Sequence, residues 1–229
     1  MSEKINRMFS DIHERYDFMN HLMSMGVDIE WRRRAAREAV IGKDGYGILD
    51  IASGTGDLAI AMHNECRRAK KSVRITGVDF NKDMLEVAKR KTAKLGMRIR
   101  LEVGDAQRLR FKAGSFDVLT SSFAMRDFDS LPEFIREARR VLKGDGKIIL
   151  MDMSKPEGGA MKYFFKLYYN IMVLEGMLVD REAYSFLVKS IKSFDKKGLL
   201  RLLKREGFIN IRLVDLPSKT AFMVTANKG

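Results

Sequence analysis

The chain is poor in the residues that build cross-links, metal clusters and rigid turns. Its 229 residues include one cysteine, three prolines and three histidines. A single Cys66 excludes an internal disulfide and a cysteine metal cluster, and we expect no metal site. No apolar run approaches the ~18 residues of a membrane-spanning helix, and the polar N-terminal sequence lacks the apolar core of a secretory signal. These absences predict a single globular domain, 1–229, in the cytoplasm.

Positive charge is abundant instead. Lys and Arg number 43 against 30 Asp and Glu, which gives a net charge of +13. The basic clusters are dispersed over predicted helices, and no RNP, KH, zinc-finger or homeodomain-like motif accompanies them. Three interpretations stay open, in order of preference: solvated helix faces, contact with an anionic membrane surface, and nucleic acid. We therefore expect no nucleic-acid partner.

Strands and helices alternate through the middle of the chain. Five apolar runs predict strands that begin near Tyr46, Val73, Ile99, Ser115 and Lys147. A final helix, 196–206, precedes two runs joined by a short turn, which predict an antiparallel hairpin. The fold class is therefore α/β: a Rossmann-like, doubly wound sheet of seven strands, mostly parallel, with an antiparallel C-terminal hairpin strand.

Helical segments flank this core. Residues 1–45 carry a predicted helix from Lys4 to Met25 and another from Ile29 to Val40, and we expect them to form a lid. On the first of these, His13 and His21 are expected to share roughly one face. Residues 158–194 form a predicted helical insert rich in aromatic residues, either core packing or an apolar channel. Residues 195–229 supply the final helix and hairpin.

A glycine turn follows the first strand. The turn is Ser53-Gly54-Thr55-Gly56, a helix begins at Asp57, and the second strand ends on Asp79. Glycines let a ligand approach the backbone closely, and an acidic residue about 20 positions further on can bind ribose hydroxyls. This pattern predicts a nucleotide-binding βαβ unit, so residues 46–153 are the expected cofactor-binding core.

The charges around the glycine turn favour S-adenosylmethionine over a dinucleotide as the cofactor. The loop also fits the dinucleotide pattern GxGxxG/A, in which a pyrophosphate binds the helix N-terminus. Here Asp57 occupies that end and Asp50 lies on the strand leading in. Two carboxylates repel a pyrophosphate and suit a cationic sulfonium, so S-adenosylmethionine is the expected cofactor. Two alternatives stay open. The loop could bind a dinucleotide, or it could be a tight turn in which Asp57 is an ordinary helix cap.

Further motifs resemble those of the class I S-adenosylmethionine-dependent methyltransferases. Within that class the chain resembles the ubiquinone/menaquinone biosynthesis C-methyltransferases over nearly its whole length. The most specific matches are Tyr16-Asp17-Phe18-Met19-Asn20 with Ser24 and Trp31, and Asp180-Arg181-Glu182-Ala183-Tyr184 in the insert. Less specific matches are the glycine loop, Gly104-Asp105-Ala106, Ser122 to Arg126, Arg140 to Lys143 and Ser154-Lys155-Pro156.

The resemblance implies roles for the cofactor residues. Thr55 and the backbone of Gly54 and Gly56 are expected to face the methionine moiety, and Asp79 the ribose. Asp105 and Ala106 are expected to flank the adenine. Asp50, Ser53 and Ser122 complete the expected cofactor set. Strand-end and turn capping are the alternative roles for Asp79, Asp105 and Ser122.

The implied reaction is methylation of the ring of a polyprenylated quinol, with demethylmenaquinol to menaquinol as the first expectation. A ring carbon becomes nucleophilic once a neighbouring hydroxyl is deprotonated, so a general base is needed. Arg126 is expected to stabilise the phenolate and Asp127 to take the proton, with Asp152 as a second base candidate. A solvated loop ion pair is the alternative for Arg126 and Asp127. The expected substrate contacts are Tyr16, Asn20, Trp31, Arg181 and Tyr184, with structural packing as their alternative.

Two departures from the family pattern fall where the quinone ring is expected. Asp28 stands where the family carries a His, and Asp127 where it carries an Asn. Other acceptors therefore stay open: another small molecule or lipid, or RNA, although an Asn-Pro-Pro-Tyr type motif is absent. A non-enzymatic scaffold also stays open. Peripheral contact with the inner face of a membrane and homodimerisation are further expectations.

Overall fold

The computed structural model describes residues 3–154 and 194–229. The predicted insert, with Arg181 and Tyr184, lies outside these residues except for Phe194. The described residues form one sheet in the order β3-β2-β1-β4-β5-β7-β6. Its strands are β1 (Tyr46–Ile51), β2 (Val73–Asp79), β3 (Ile99–Val103), β4 (Phe116–Ser122), β5 (Leu142–Met153), β6 (Phe208–Asp215) and β7 (Ala221–Lys228).

The sheet topology confirms the predicted fold class. β1 to β5 pair in parallel, whereas β7 is antiparallel to both β5 and β6. β1 lies in the centre with β2 on one side and β4 on the other, so the strand order reverses there. Ligands of open α/β sheets bind at the carboxyl ends of the strands beside this reversal.

Helices cover both faces of the sheet. On one face Phe134 and Leu203 pack on Leu49 and Leu119, and on the other Ala35 and Met62 lie in the cluster with Ile48. Ile48 and Leu49, which are neighbours in β1, thus pack in the hydrophobic clusters on opposite faces of the sheet, because side chains alternate along a strand. The helices are α1 (Glu3–Ile12), α2 (Tyr16–Met23), α3 (Val27–Glu38), α4 (Asp57–Arg68), α5 (Lys82–Lys94), α6 (Leu131–Val141) and α7 (Lys196–Arg205).

The first predicted helix is two helices. The prediction of one helix from Lys4 to Met25 is wrong, because a turn at residues 13–15 separates α1 from α2. Neither glycine nor proline lies at this turn, so distant contacts set the break. The Asn81 side-chain nitrogen donates to Asn6 Oδ1 at 2.8 Å and to Ser10 Oγ at 2.9 Å, which holds α1 on α5.

The break also separates two histidines that were predicted to share a face. His13 Nδ1 contacts the Ser10 carbonyl oxygen beside α1, and His21 Nδ1 lies 2.8 Å from Asp28 Oδ2 between α2 and α3. The two imidazoles therefore belong to different helices. None of the helices in the described part of the chain is long and apolar enough to cross a bilayer.

Candidate active site

A cavity opens at the carboxyl ends of β1, β2 and β4, beneath α1 and α2. Its apolar walls include Phe9, Phe80, Met84 and Phe128. Seven of the residues predicted from the sequence line it: Tyr16, Gly54, Asp79, Asp105, Ala106, Ser122 and Asp127. The motifs that were separate in the chain thus meet in one place, because parallel strands end at the same edge of the sheet.

The other described candidates lie outside the cavity lining. Asp50, Ser53 and Thr55 are buried, as are Trp31 and the Arg126 guanidinium. Neither Gly56 nor Asn20 lines the cavity. In this structure these residues contact the groups around the cavity and do not line it themselves.

The glycine turn is open toward the cavity at Gly54. Its φ of +53° suits glycine, and a Cβ built there meets nothing within 4 Å. The Gly54 backbone N–H donates to Asp79 Oδ2 at 2.7 Å, which ties the turn to the tip of β2. Gly56 faces α5 instead, where a Cβ would lie 3.2 Å from the Ala88 Cβ. The open space is therefore on the side where a ligand would approach the backbone.

Asp79 lies at the cavity wall with its charge partly compensated by backbone donors. Its Oδ1 accepts from the Asn81 N–H at 2.8 Å. Burial raises the pKa of this carboxyl to about 6, and the backbone hydrogen bonds from Asn81 and Gly54 oppose that shift. A buried carboxylate at a strand tip can accept from ribose hydroxyls, which suits the predicted role.

Asp50, which was predicted to belong to the cofactor set, does not line the cavity. Its side chain is buried in the centre of the sheet, where the Thr120 hydroxyl donates to Oδ1 at 2.6 Å. Burial raises the pKa of Asp50 to about 7, and the Asp79 charge adds to that shift. Oδ2 has no hydrogen-bond partner among the described residues. Asp50 therefore supports the strand beneath the loop and does not line the cavity.

The charge at the start of α4 is also compensated. Asp57 pairs with Lys91 from α5, and Arg32 Nη2 lies 3.9 Å from Asp57 Oδ2. Asp57 is therefore paired and Asp50 is buried, so these two residues do not act as the two free carboxylates that the expected repulsion of a pyrophosphate requires. The preference for a sulfonium cofactor consequently rests on the family and not on these charges.

Asp17 joins the N-terminal helices to the glycine turn. The Thr55 hydroxyl donates to Asp17 Oδ1 at 2.5 Å, and Lys91 Nζ donates to Asp17 Oδ2 at 2.6 Å. Lys91 thereby bridges Asp17 and Asp57, and we call Asp17, Thr55, Asp57 and Lys91 the lid bridge. One feature of the sequence points to the lid bridge, since Asp17 stands next to Tyr16 in the N-terminal pattern, but no motif includes Lys91.

Arg126 forms a buried ion pair with Asp152. Arg126 Nε lies 2.6 Å from Asp152 Oδ1, and the two side chains are 4% and 0% exposed. A solvated ion pair between Arg126 and Asp127 is therefore wrong. The Asp152 carboxylate is directed to Arg126, and Asp152 does not line the cavity.

Asp127 meets the physical requirements of a general base. It is 8% exposed and lines the cavity from a short 3-10 turn, Met125–Asp127, that follows β4. Burial raises its pKa to about 6, the Arg126 charge lowers it, and the Asp152 charge raises it. A carboxyl with a pKa near neutrality can both lose and accept a proton under ordinary conditions.

Two aromatic residues of the N-terminal region stand at or beneath the cavity. Tyr16 lines it, and burial raises the pKa of its hydroxyl, a shift that the nearby Asn20 side chain opposes. Trp31 is buried beneath the end of β4, with its ring centroid 6.1 Å from that of Phe123 and Nε1 donating to the Pro217 carbonyl oxygen at 3.0 Å. Asn20 and Trp31 therefore support the groups that line the cavity.

Asp28, the first departure from the family pattern, belongs to a polar cluster behind the cavity. It accepts from Ser24 Oγ at 2.5 Å and pairs with Arg32. The Arg32 guanidinium lies 5.3 Å from the ring centroid of Phe123, which lines the cavity with a φ of +59°. Asp28 thus acts on the cavity only through Arg32 and Phe123.

These residues fit S-adenosylmethionine. There is open space beside the Gly54 backbone, and the buried Asp79 carboxylate lies at the tip of β2. Apolar side chains form a wall that an adenine can contact. The fold and the site together define a class I S-adenosylmethionine-dependent methyltransferase. A solved methyltransferase of Aquifex aeolicus, described as SAM-dependent, shares the fold: its TM-score is 0.62 at 17% identity, over 86% of this chain and 89% of that one.

Family membership is shown at the sequence level. A model described as the ubiE/COQ5 methyltransferase family matches residues 1–228, and the chain belongs to this family. A ubiquinone/menaquinone biosynthesis C-methyltransferase UbiE of Geotalea uraniireducens (strain Rf4) is 32% identical over an alignment of 231 positions, which covers 99% of this chain and 97% of the relative. A demethylmenaquinone methyltransferase of Deinococcus radiodurans is 35% identical over an alignment of 210 positions, which covers 90% of this chain and 85% of the relative. The predictions of a methyltransferase and of S-adenosylmethionine as its cofactor are thereby confirmed.

Proposed function

We propose that this enzyme methylates a ring carbon of a polyprenylated quinol, with demethylmenaquinol to menaquinol as the first candidate reaction. The names of its relatives support the substrate class. One observation carries the proposal: the carboxyl of Asp127, with a pKa of about 6, lines the same cavity as the cofactor residues. A phenolic substrate needs a base near its ring hydroxyl, because the ring carbon becomes a good nucleophile only after the hydroxyl loses its proton, and Asp127 can supply that base in this chain.

The proposed cofactor contacts fall into two groups. Gly54, Asp79, Asp105, Ala106 and Ser122 bind directly, since they line the cavity. Asp50, Ser53, Thr55 and Gly56 hold the turn and the strand in the conformation that makes this possible. Bound S-adenosylmethionine supplies an electrophilic methyl group on a sulfonium, so the protein has mainly to position the ring and manage one proton.

The proposed proton path starts at the ring hydroxyl. Asp127 accepts its proton, and the electron pair left on oxygen makes the adjacent ring carbon nucleophilic. That carbon would attack the methyl group of bound S-adenosylmethionine, and the electron pair of the broken C–S bond would leave with S-adenosylhomocysteine. The ring carbon would then release its own proton to water, because Asp127 still holds the hydroxyl proton, and the ring would become aromatic again. Arg126, fixed by Asp152 at 2.6 Å, stabilises the phenolate from behind Asp127. The proton returns from Asp127 to the ring oxygen.

The substrate is proposed to lie between the lid and the insert. Tyr16 contacts the ring directly, while Asn20 and Trp31 act by holding Tyr16 and Phe123. Arg181 and Tyr184 remain proposed contacts from outside the described residues. A second cleft is proposed to take the polyprenyl tail. Leu131 and Phe194 line it together with Arg126 and Asp195.

The proposed organisation follows from this arrangement. Residues 1–45 act as a lid, 46–153 as the cofactor core, 158–194 as the substrate insert and 195–229 as the completion of the sheet. A lipid substrate and a net charge of +13 favour a cytoplasmic enzyme that works at the inner face of an anionic membrane. Homodimerisation stays a prediction.

Transfer of labelled methyl from S-adenosylmethionine tests the proposal. Reduced short-chain demethylmenaquinol, reduced lipid extract and total RNA are offered in parallel. We expect label in the quinol and in a quinone-like lipid fraction. Label in RNA, together with RNA binding that weakens steeply with salt, would replace the proposal with an RNA methyltransferase. Label in none of the three would exclude the quinol.

A further inference from the structure

Four large apolar side chains lie exposed on the outer side of the N-terminal helices. Their exposed fractions are 67% for Phe18, 50% for Leu22, 64% for Met25 and 57% for Ile29. Phe18 and Leu22 are one helical turn apart in α2, and Met25 and Ile29 follow through the turn into α3. We call these four residues the N-terminal apolar patch. A concentration of exposed apolar side chains is typical of an interaction surface.

Along the sequence, no exposed charge lies between Phe18 and Ile29. Asp28 is the one Asp, Glu, Lys or Arg in this stretch, and it is 3% exposed because Ser24 and Arg32 contact its carboxylate. Exposed Arg15 and Arg33 stand at the two ends, and the two carboxylates at the N-terminal end are paired, Glu14 with Arg90 and Asp17 with Lys91.

The nearest exposed carboxylate beyond Ile29 is itself compensated. Glu30 pairs with Arg34 at 3.2 Å and with Arg33 at 3.9 Å. Apolar residues bordered by cations match the chemistry of a phospholipid surface, in which acyl chains lie beneath anionic head groups.

The patch adjoins the proposed active site. Tyr16 begins α2 and lines the cavity, whereas Phe18 and Leu22 of the same helix are exposed. A surface that binds lipid at this place would hold the cavity beside the bilayer. A substrate with a polyprenyl tail resides in that bilayer, so the position of the patch selects a membrane over a protein partner.

We propose that the N-terminal apolar patch docks this enzyme on an anionic phospholipid bilayer, with Phe18 and Ile29 inserted among the lipids. The reason for docking rests on the proposed quinol substrate, but the binding itself does not require catalysis. The net charge of +13 attracts the protein to the surface, and the patch then anchors it there.

Flotation with vesicles tests the docking. The full-length wild-type chain, the double variant F18S/I29S and the control L95S are mixed with vesicles of phosphatidylcholine alone or with phosphatidylglycerol added. Leu95 is 54% exposed, yet it follows α5 at the opposite end of the sheet from the cavity. We expect the wild type and L95S to float with the anionic vesicles. The double variant should bind at least about tenfold more weakly, because two apolar side chains no longer enter the lipid.

A second readout separates docking from catalysis. Methyl transfer to a water-soluble short-chain demethylmenaquinol should be equal in the wild type and F18S/I29S, whereas transfer to a long-chain quinol in vesicles should fall about tenfold in the variant. Flotation of the wild type without transfer to either quinol would overturn the proposed function and leave the docking supported.

Three results would overturn the docking proposal. The first is a wild type that fails to float with any vesicle. The second is F18S/I29S floating as well as the wild type. The third is a wild-type dimer that becomes a monomer in F18S/I29S by light scattering, since the patch would then be an interface between two copies of this chain.

Discussion

Asp127 is the residue on which the proposed chemistry depends most directly. We expect Asp127→Asn to lower kcat/KM for the quinol about 10²-fold, because general-base catalysis is worth about that factor or more. The wild-type rate should rise with pH through about 6, where the Asp127 carboxyl with its raised pKa ionises. The variant should lose this rise. The pH profiles of both proteins, measured with a short-chain quinol, check the prediction.

The matched control for Asp127 is two residues away. Asp129→Asn removes an exposed carboxylate that does not line the cavity, and it should keep the wild-type rate and profile. An Asp127→Asn enzyme with unchanged rate would assign the base elsewhere. Since the family pattern carries Asn at this position, that result would leave deprotonation to a water held by Arg126.

Single residues were predictable where a motif fixes their place. Asp79 and Asp105 follow strands whose ends must meet, so spacing along the chain was enough to bring them to one cavity. The partner of Arg126 was not predictable in that way, because Asp152 lies 26 positions away on β5. Pairing across strands depends on side-chain direction, which the sequence pattern leaves open.

The lid bridge joins secondary-structure elements, because it connects α2 to the glycine turn and to α5. Lys91→Met removes the cation between Asp17 and Asp57, both of which it contacts in the structure. We expect the KM for S-adenosylmethionine to rise about tenfold with a smaller change in kcat, because two neighbouring carboxylates then repel each other and loosen α2 from the glycine turn. Steady-state kinetics, with protease cleavage near residues 13–15 as a second readout, measure the effect.

Lys89 supplies the control on the same helix. Its ammonium pairs with Glu86 at 2.7 Å, and the Lys89 side chain is 52% exposed. Lys89→Met should leave the KM for S-adenosylmethionine and the cleavage pattern as in the wild type. Equal changes in both variants would mean that α5 responds to loss of charge in general, and the lid bridge would then have no specific role.

Elements in the core were predictable because each is bounded by a clear local signal. Apolar runs ended by glycine or aspartate gave β1 and β2 within about one residue of their observed ends. The break between α1 and α2 had no such signal. The helices on its two sides contact Asn81, the residue before α5, and Thr55 of the glycine turn, which lie far along the chain.

At the scale of the whole molecule, buried carboxyls make stability depend on pH. The folded-state pKa is about 7 for Asp50 and about 6 for both Asp79 and Asp127, because all three are buried. An unfolded chain releases these protons near pH 4, so it binds fewer protons than the folded chain between about pH 4 and 7. The contribution of these groups to the free energy of unfolding therefore falls as pH rises through that range.

Asp50→Asn isolates the largest of these effects. The amide keeps an acceptor for Thr120 but carries no charge, so we expect the variant to be about 2–4 kcal/mol more stable than the wild type at pH 8 and little changed at pH 4. Denaturant unfolding at both pH values measures this. The exposed carboxylate variant Asp129→Asn should show no such difference, and an equal gain at pH 4 would assign the effect to packing.

The position of β7 has a consequence for how the protein is made. β6 touches the sheet only through β7, which is synthesised after it and lies between it and β5. While β7 is still being translated, β6 has no strand to pair with, and the edge of β5 that β7 later covers is open as well. During that interval of translation, the edges of β5 and β6 that pair with β7 are open to chaperones or to other nascent chains. Both edges are covered when β7 emerges and pairs with them.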